Sequence, residues 1–423
     1  MHKANTQSNT KTAQAHLQFL PDDDLLELIQ HQTFRYFWEF AHPNCGMARE
    51  RNREEYKDVV TTGGSGFGLM GMVVAAERNW ISKEDFVKRI NQILDFLFHC
   101  EKYHGAFSHW YNGNSGKTIR FGKKDDGADL VETSFLIMGL LTVRQYLKTL
   151  DVEKYGLPID KINALWLNVE WDWFTRGKNV LYWHYSPHHR RQINLKIEGY
   201  NEACITYVLA AGYPTQSIKK NMYDEGWAQN GQMRNGKNFY KTLLPLGPDY
   251  GGPLFFAQFS FLGLDPRNLR DAYADYWQQN LAHTRINYEH CVNNPKNYKG
   301  YAENCWGLTA CDSKNRYQPL HPQKDNGTIC PSAAISSLPY LPKESLAAIR
   351  HFYFNLGKKI FGEYGFYDSF NKTRSWYAKS YLAINQGPII VMIENYRSGL
   401  LWNLLMSCDE VQQGLRKLGF TKY

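Results

Sequence analysis

The chain has 423 residues, of which 43% are hydrophobic and 21% charged, a composition that suits a globular protein with a large core. Its net charge of +8 comes from 49 basic and 41 acidic residues scattered along the sequence, so the concentrated basic face of a nucleic-acid-binding protein is not expected. The 8 cysteines show neither a CxxC pair nor a zinc-ligand spacing, and no run of about 18 apolar residues predicts a membrane span.

The first twenty residues are polar and contain no apolar signal-peptide core. We therefore predict a disordered tail over residues 1–20 and a single folded domain over residues 21–423. Without a visible signal peptide, we expect the protein in the cytoplasm, or in the periplasm if an export signal has been removed.

Helical periodicity recurs along the rest of the chain, whereas strand-like alternation is confined to short pieces such as residues 366–370. Helices are predicted to begin at Asp22 and at Phe67, to follow an N-cap at Ser82, and to lie at residues 129–149, 160–176, 201–212, 215–228, 252–262, 268–283, 331–337, 343–358, 387–403 and 408–418. No internal repeat and no linker divides them. This arrangement favours an all-α fold in which paired helices close into a ring, the six-hairpin (α/α)6 toroid.

Residues 66–71 match the glycine spacing GxGxxG of a dinucleotide-binding loop. A dinucleotide-binding fold would continue into a second strand, but the amphipathic helix after Ser82 follows instead. We therefore predict a tight loop that leads into a closely packed helix, with Thr61, Thr62 and Ser65 able to face a ligand.

The segment from Lys123 to Leu147 carries four carboxylates, Asp125, Asp126, Asp129 and Glu132, immediately before an apolar helical run. If the helix includes Asp125, then Asp125, Asp129 and Glu132 fall on one face, where like charges repel one another. Carboxylates at the mouth of a buried helix usually perform acid–base chemistry or bind a polar ligand. We interpret this segment as one side of a functional site.

Three histidines, His184, His188 and His189, lie close together in the segment YWHYSPHHRR. No acidic or cysteine partner lies at metal-ligand spacing, and Pro187 interrupts any helix that would align the rings. We therefore predict no metal site, and we expect these histidines to form hydrogen bonds in a loop beside a cleft.

Glu202 is the second candidate acid. Asn201 is a plausible N-cap and Gly212 a plausible stop, which predicts that Glu202 lies in the first turn of a short apolar helix. The alternative role is to stabilise the helix dipole, which contributes about 0.3–1 kcal/mol. A glutamate at the rim of an apolar pocket has a raised pKa, as a general acid requires, and together with the 123–147 carboxylates it supplies the pair that glycoside hydrolysis uses.

Aromatic residues make up 15% of the chain, with 12 Trp, 28 Tyr and 23 Phe. Such an excess suits a cleft that stacks on sugar rings, although an aromatic-rich core is the simpler alternative. Four segments, residues 104–113, 302–312, 364–371 and 384–402, each combine aromatic residues with acids or amides. Four such segments in one chain favour a carbohydrate-binding cleft.

At the level of whole blocks, the sequence resembles a known bacterial family. The blocks RYFWEFAHPNCGMARER, VTTGGSGFGLMGMVVAAER, KKDDGADLVETSFLIMGLL, GYNEACITYVLAA, YGGPLFFAQFSFLGLDPR and NQGPIIVMIENYRSGLLW occur in the same order as in glycoside hydrolase family 144. This resemblance covers nearly the whole chain. It implies an (α/α)6 barrel, no metal or other cofactor, and inverting hydrolysis of β-1,2-glucan to sophoro-oligosaccharides or sophorose.

Carried over by motif, the functional acids fall on Asp125, Asp129, Glu132 and Glu202. The resemblance implies that Glu202 is the general acid, and Asp129 is our first choice for activating water. Substrate contacts are expected from the flanking polar and aromatic positions, namely Arg49, His109, Trp110, Asp126, Trp183, Glu303, Trp306, Tyr367, Asn385 and Gln386.

One position departs from the family pattern, since Asn385 stands where an aspartate before QGP is expected. A β-glucan-binding protein with degenerate catalysis is therefore an alternative, and an α-1,4-glucan hydrolase of glucoamylase type is another. In each case we expect a monomer whose partner is a glucan oligo- or polysaccharide, without nucleic acid and without membrane insertion.

Overall fold

Helices account for most of the regular structure, in agreement with the predicted all-α class. A computed structural model describes residues 20–151 and 153–422, so the tail predicted for residues 1–20 lies, apart from Leu20, outside the described residues. The α-helices are α1 (Asp22–Trp38), α2 (Thr62–Glu77), α3 (Lys83–His99), α4 (Leu130–Leu150), α5 (Gly156–Leu167), α6 (Cys204–Gly212), α7 (Lys220–Met222), α8 (Tyr276–Asn293), α9 (Pro331–Ile335), α10 (Pro342–Arg350), α11 (Gly357–Ile360), α12 (Ala383–Arg397), α13 (Leu400–Met406) and α14 (Asp409–Leu418).

The strands are short and lie in the connections between helices. They are β1 (Val59–Thr61), β2 (Lys102–Tyr103), β3 (Ala106–Phe107), β4 (Trp110–Asn112), β5 (Thr118–Ile119), β6 (Ala128–Asp129), β7 (His184–Tyr185), β8 (Arg234–Phe239), β9 (Thr242–Leu246), β10 (Leu269–Arg270), β11 (Ala310–Asp312), β12 (Tyr317–Pro319), β13 (Phe361–Gly362), β14 (Gly365–Phe366), β15 (Phe370–Asn371), β16 (Trp376–Tyr377) and β17 (Thr421–Lys422). Strands β1, β4 and β5 form one antiparallel sheet, and the others pair two by two: β2–β3, β6–β7, β8–β9, β10–β17, β11–β12, β13–β14 and β15–β16.

Tighter and wider helical turns complete the backbone. The 3-10 turns are Glu54–Tyr56, Trp171–Thr175, Gln229–Gly231, Asp249–Gly251, Leu254–Ala257, Ser260–Leu262 and Pro322–Lys324, and the π turns are Tyr223–Trp227 and His351–Asn355. Within the described residues, no helix combines the length and the apolar character that crossing a membrane requires.

Several predicted helices have different bounds in the structure. The helix predicted at 252–262 is a pair of 3-10 turns, and the one predicted at 268–283 begins only at Tyr276, after the strand β10 and the N-cap Asp275. The single helix predicted at 387–403 is two helices, α12 and α13, because Gly399 adopts the left-handed conformation with φ of 72° between them. The helix after Ser82 is as predicted, since the Ser82 hydroxyl accepts a hydrogen bond from the Asp85 amide at 3.0 Å.

The glycine-rich segment around residues 66–71 is part of a helix and not the predicted loop. Helix α2 begins at Thr62, and its residues 62–76 are all buried. The predicted close packing is present: a Cβ atom added at Gly66 would lie 2.2 Å from the Phe135 carbonyl oxygen of α4, and one at Gly139 would lie 2.2 Å from the Gly66 oxygen. The glycines therefore let two buried helix backbones touch.

The core consists of two apolar clusters that share helix α12. Ile390 of α12 belongs to the cluster that also contains most of α2, α4 and α6, and Ile389 and Ile393 belong to the cluster around α9 and α10. Helix α3 shows the opposite, amphipathic pattern, with one buried apolar face. The chain thus alternates between fully buried and half-buried helices.

We predict that Gly66→Ala lowers the free energy of unfolding by about 3 kcal/mol, because its Cβ would overlap the backbone of α4. Gly156→Ala is the matched control, since no atom lies within 4 Å of a Cβ added there. Urea denaturation followed by circular dichroism measures both variants. Equal stabilities for the two variants would contradict the close helix contact.

Candidate active site

A cavity of about 970 Å³ is lined by residues from many segments of the chain, which range from Glu50 to Ile384 and include the first turns of α4 and α12. Six of the predicted site residues line it: His109, Trp110, Asp129, Glu132, Trp183 and Glu202. The cavity thus combines aromatic rings with titratable groups from four separate segments.

Asp129 ends strand β6 and is the N-cap of α4. Its Oδ1 atom accepts hydrogen bonds from the backbone amides of Val131 at 3.0 Å and Glu132 at 2.9 Å. Because the helix begins only at Leu130, Asp125 lies in the preceding loop and not on the helix face that we predicted. Pairing of β6 with β7 sets Asp129 opposite His184.

Two histidines surround the Asp129 carboxylate. The Nδ1 atom of His109 lies 3.1 Å from Oδ2 of Asp129, and Nε2 of His184 lies 3.6 Å from the same oxygen and 3.3 Å from Oδ2 of Asp125. Burial alone would lower the pKa of each ring, but the neighbouring carboxylates outweigh it and raise both pKa values to about 9. Both rings are therefore imidazolium ions at neutral pH.

The same contacts lower the pKa of Asp129. Burial raises the pKa of Asp129, but hydrogen bonds from His109 and His184, together with their charges, hold it well below its usual range. Asp129 is a permanent anion whose two oxygens are already occupied by the helix N-terminus and the two rings.

Glu132 has a different environment one helical turn later. Its Oε2 atom accepts a hydrogen bond from the Gly63 amide at 2.7 Å, and its Oε1 atom lies 3.8 Å from Nε2 of His109. Burial and the charge of Asp129 raise the pKa of Glu132 to about 7, although His109 and the Gly63 amide oppose this shift. Glu132 therefore changes protonation near neutral pH.

Glu202 lies in a turn two residues before α6, and not in its first turn as predicted. The turn is fixed by the Asn201 side chain, which accepts a hydrogen bond from the Ala203 amide at 2.9 Å, and by Ser260, which donates to the Glu202 carbonyl. Burial raises the pKa of Glu202 to about 7, and the charges of Asp129 and Glu132 add to this shift. No positively charged side chain lowers the pKa of Glu202.

Aromatic rings cover the acidic part of the cavity. The exposed Phe121 ring stacks on His109 with centroids 3.9 Å apart and an interplanar angle of 13°, and it lies edge-on to Trp110 at 5.0 Å. Trp183 lies nearly parallel to His184 at 6.0 Å. Phe121 was not among the predicted contacts, although its position between Trp110 and the carboxylate segment was a usable signal.

Asp126 and Arg49, two of the predicted substrate contacts, are not among the residues that line the cavity. Asp126 accepts hydrogen bonds from Ser186 and, at 2.9 Å, from Nδ1 of His188. Arg49 donates to the carbonyl oxygens of Lys57 and Phe40. Both residues hold loops together.

Four further predicted contacts also lie away from the cavity wall. Trp306 is fully buried and donates to the Glu344 carbonyl at 3.3 Å, and Gln386 is buried and donates to the Phe366 carbonyl at 3.0 Å. Tyr367 packs on Tyr381 with centroids 4.8 Å apart. Glu303 lies exposed on the surface.

Asn385, the position that departs from the family pattern, supports a second carboxylate. Its Nδ2 atom donates to Oδ1 of Asp368 at 2.7 Å, and the Asp312 amide donates to Oδ2 of Asp368 at 2.6 Å. Burial and the charge of Asp312 raise the pKa of Asp368 to about 7. Asp312 lines the cavity, whereas Asn385 lies behind it.

The prediction missed a group of charged residues in the cavity lining. Arg51 lies between Glu50, at 2.5 Å, and Asp312, at 3.2 Å, and Arg53 lies 3.5 Å from Asp312. The basic and acidic residues at 49–54 were visible in the sequence, but their partner Asp312 is about 260 residues away. Only the fold brings these charges together.

One group of side chains has the composition of a metal site. Ligand-type atoms of His109, Asp125 and Asp129 all lie within 4.8 Å of one another. In this structure Nδ1 of His109 lies 3.1 Å from Asp129 and Nε2 of His184 lies 3.3 Å from Asp125, so the rings and the carboxylates are partners of one another.

Known proteins match the chain over nearly its whole length. The sequence profile of a family described as "Putative glucoamylase" matches residues 194–409, and a profile of a family of unknown function matches residues 29–166. A curated exo-β-1,2-glucooligosaccharide sophorohydrolase (non-reducing end) of Parabacteroides distasonis is 44% identical over 98% of this chain. The chain spans 60% of the length of that relative.

Two solved structures are similar throughout. An endo-β-1,2-glucanase from Chitinophaga pinensis, in complex with sophorotriose and glucose, is 50% identical with a TM-score of 0.93, over 95% of this chain and 99% of the other. A "putative glucoamylase" from Bacteroides uniformis is 51% identical with a TM-score of 0.93, over 95% and 98% of the two chains.

We predict that the stabilising effect of His184 declines as the pH rises. The folded-state pKa of about 9 exceeds the ordinary value of 6.5, so the stabilisation is complete below pH 6.5 and is lost as the pH rises through 9. The difference in free energy of unfolding between the wild type and His184→Asn should therefore shrink by ~1–2 kcal/mol from about pH 6 to about pH 10. Urea denaturation at several pH values measures it.

The matched control is His99→Asn, at an exposed position in the last turn of α3. It makes the same substitution outside the carboxylate cluster, so an effect that both variants share does not come from the ion pairs of His184. A pH-independent effect of His184→Asn would contradict the ion pairs with Asp125 and Asp129.

Proposed function

The chain belongs to glycoside hydrolase family 144, the β-1,2-glucanase family, and from this premise we propose that it hydrolyses β-1,2-glucan. The observation that carries the proposal is the pair Glu132 and Glu202, two carboxyl groups with pKa values of about 7 in one aromatic-lined cavity. Glycoside hydrolysis requires such a pair, one protonated and one ionised at the working pH.

We assign the general acid to Glu202. The charges nearest to it are the carboxylates of Asp129 and Glu132, which favour its protonated form, and no cation stabilises its anion. A protonated carboxyl group can donate its proton to the leaving glycosidic oxygen. This role agrees with the one that the family resemblance implies.

We assign the general base to Glu132 in place of Asp129, which was our first choice. Both oxygens of Asp129 are occupied and its pKa is well below its usual range, so it accepts a proton poorly. Glu132 lines the same cavity, and the imidazolium of His109 and the amide of Gly63 stabilise its ionised form. A base with a pKa near the working pH takes a proton from water efficiently.

Cleavage follows from these two roles. Glu132 removes a proton from a water molecule, the water oxygen attacks the anomeric carbon from the face opposite the leaving group, and Glu202 protonates the departing oxygen. The anomeric configuration is therefore inverted. An inverting pair requires room for the water, so we expect the two carboxyl groups to be roughly 6.5–9.5 Å apart when substrate is bound.

The helices fit the proposed (α/α)6 toroid in a single domain. In chain order, a helix with an exposed face precedes a more deeply buried helix five times: α1 precedes α2, α3 precedes α4, α5 precedes α6, α8 precedes α9, and α10 precedes α12. These buried helices and the turns at 254–262 form the proposed inner ring, in which α2 contacts α4 and α12, and α4 contacts α6. The cavity then lies at one end of this ring.

A catalytic role is favoured over a binding role alone. The substitution that suggested degenerate catalysis, Asn385, lies behind the cavity wall, and both candidate carboxyl groups, Glu132 and Glu202, are present. The names of two similar proteins, the sophorohydrolase of Parabacteroides distasonis and the endo-β-1,2-glucanase of Chitinophaga pinensis, refer to β-1,2-linkages, which favours this linkage over α-1,4. We propose that the chain acts as a monomer on the polysaccharide.

We predict that the protein releases sophoro-oligosaccharides or sophorose from β-1,2-glucan and that the first product is the α-anomer. Proton NMR during the reaction resolves the anomers, and product chromatography gives the chain lengths. Starch is the control substrate. Intact β-1,2-glucan would refute the function, and an initial β-anomer would refute inversion.

We predict that Glu202→Gln and Glu132→Gln each lower kcat by roughly 10²- to 10⁴-fold while the thermal unfolding midpoint stays close to that of the wild type.

For the wild type, a plot of kcat/KM against pH should follow a narrow bell centred near pH 7, because Glu132 must be ionised and Glu202 protonated. Glu132→Gln should remove the rise on the acidic side. Glu84→Gln, at an exposed position in the first turn of α3, is the control.

A further inference from the structure

The lining of the cavity carries three cationic side chains. The turn between β11 and β12 contributes Lys314 and Arg316, and Lys379 follows strand β16. All three line the cavity and are exposed to solvent. The proposed hydrolysis of a neutral glucan uses none of these charges.

The carboxylates nearest in sequence are engaged elsewhere. Asp312, two residues before Lys314, contacts Arg51 at 3.2 Å and Arg53 at 3.5 Å, and it accepts a hydrogen bond from the Ser380 hydroxyl at 2.6 Å. Within residues 20–151 and 153–422, no carboxylate oxygen lies within 4.0 Å of the Lys314, Arg316 or Lys379 cations. By contrast, Lys220 on the outer surface pairs with Asp224 at 2.7 Å.

The turn that carries Lys314 and Arg316 has a defined shape. The Ser313 amide donates to the Arg316 carbonyl at 2.9 Å, the Ser313 hydroxyl donates to the same oxygen, and Gln318 donates to the Ser313 hydroxyl at 2.8 Å. The backbone of this turn is therefore fixed, while the Lys314 and Arg316 side chains remain exposed. Lys379 has separate contacts, since its Nζ atom donates to the Lys359 carbonyl at 3.1 Å and lies 4.3 Å from the centroid of the Tyr367 ring.

Aromatic rings accompany the cations in the cavity lining. Tyr317 is 43% exposed, and Trp376 and Tyr377 lie on the adjacent hairpin. A ring surface binds the apolar face of a sugar, and a nearby ammonium or guanidinium group binds an anionic group carried by that sugar. Aromatic rings beside cations are typical of sites that recognise an acidic saccharide. A site for a neutral saccharide does not need the cations.

Building on the proposed function, we propose that Lys314, Arg316 and Lys379 form a subsite for an anionic substituent on the β-1,2-glucan, a carboxylate or phosphate ester. A glucose unit linked through its 1- and 2-positions keeps a free primary hydroxyl, to which such a group can be attached without blocking the bond that is cleaved. The three cations line the same cavity as Glu132 and Glu202, so a glucan bound at these acids can also present such a group to the cations.

The test compares three substrates: neutral β-1,2-glucan, the same glucan carrying succinyl half-esters, and the same glucan carrying phosphate monoesters. We expect kcat/KM to be about ten-fold higher for at least one anionic glucan at low salt, because three exposed charge contacts together contribute this much. The preference should fall as salt is raised towards about 1 M, since exposed charges are screened. The preferred ester identifies the anionic group.

The decisive variant is K314Q/R316Q/K379Q, in which the ratio of kcat/KM for anionic and neutral glucan should fall to about one. The matched control, K88Q/K178Q/K343Q, removes the same charge from exposed positions outside the cavity wall and should keep the wild-type ratio. A wild-type ratio of one, or an equal loss of the ratio in both variants, would overturn the subsite.

Failure of the proposed function gives a different result from failure of the subsite. If the wild type cleaves none of the glucans, the hydrolysis itself is refuted, and calorimetric binding of the three glucans still tests the subsite. Tighter binding of an anionic glucan that is lost only in K314Q/R316Q/K379Q supports it. Equal binding of all three glucans overturns it.

Discussion

The Asp129 carboxylate at the N-terminus of α4 is held by the first amides of the helix on one oxygen and by two imidazolium rings on the other. A cluster of three buried carboxylates is stable only if positive charge compensates it. His109 and His184 provide that charge, and in return the carboxylates keep both rings protonated. This exchange leaves Asp129 ionised and allows Glu132, one turn later, to titrate near neutral pH.

Helix packing controls the same site. The contact between Gly66 of α2 and Gly139 of α4 brings the two backbones together, and the N-terminus of α2 then presents the Gly63 amide to Glu132 at 2.7 Å. A Cβ atom at Gly63 would lie 2.5 Å from that carboxylate oxygen, so a glycine is needed at this position too. The glycine-rich segment thus serves the proposed chemistry by close packing and by the hydrogen bond from the Gly63 amide to Glu132.

The cavity lining has two parts of different chemical character. One part contains Glu132, Glu202 and the ring of Phe121 stacked on His109, which suits acid–base cleavage of a sugar linkage. The other part contains the buried Glu50–Arg51–Asp312 ion pairs and the exposed cations Lys314, Arg316 and Lys379, which have no carboxylate partner among the described residues. The buried pairs connect the segment at residues 50–51 to strand β11. A ligand in this cavity therefore meets both titratable carboxyl groups and positive charge.

The sequence by itself determined the helical class, the amphipathic helix after Ser82, the family, and the carboxylates Asp125, Asp129, Glu132 and Glu202, because periodicity, capping residues and motif blocks are local properties of the chain. It did not determine the helix break at Gly399 or the start of α4 after Asp129, because strand pairing and backbone conformation decide them. Only the tertiary structure decided which carboxylate titrates near neutral pH. A pKa depends on burial and on charges that the fold brings from distant segments, such as His109 and His184 beside Asp129.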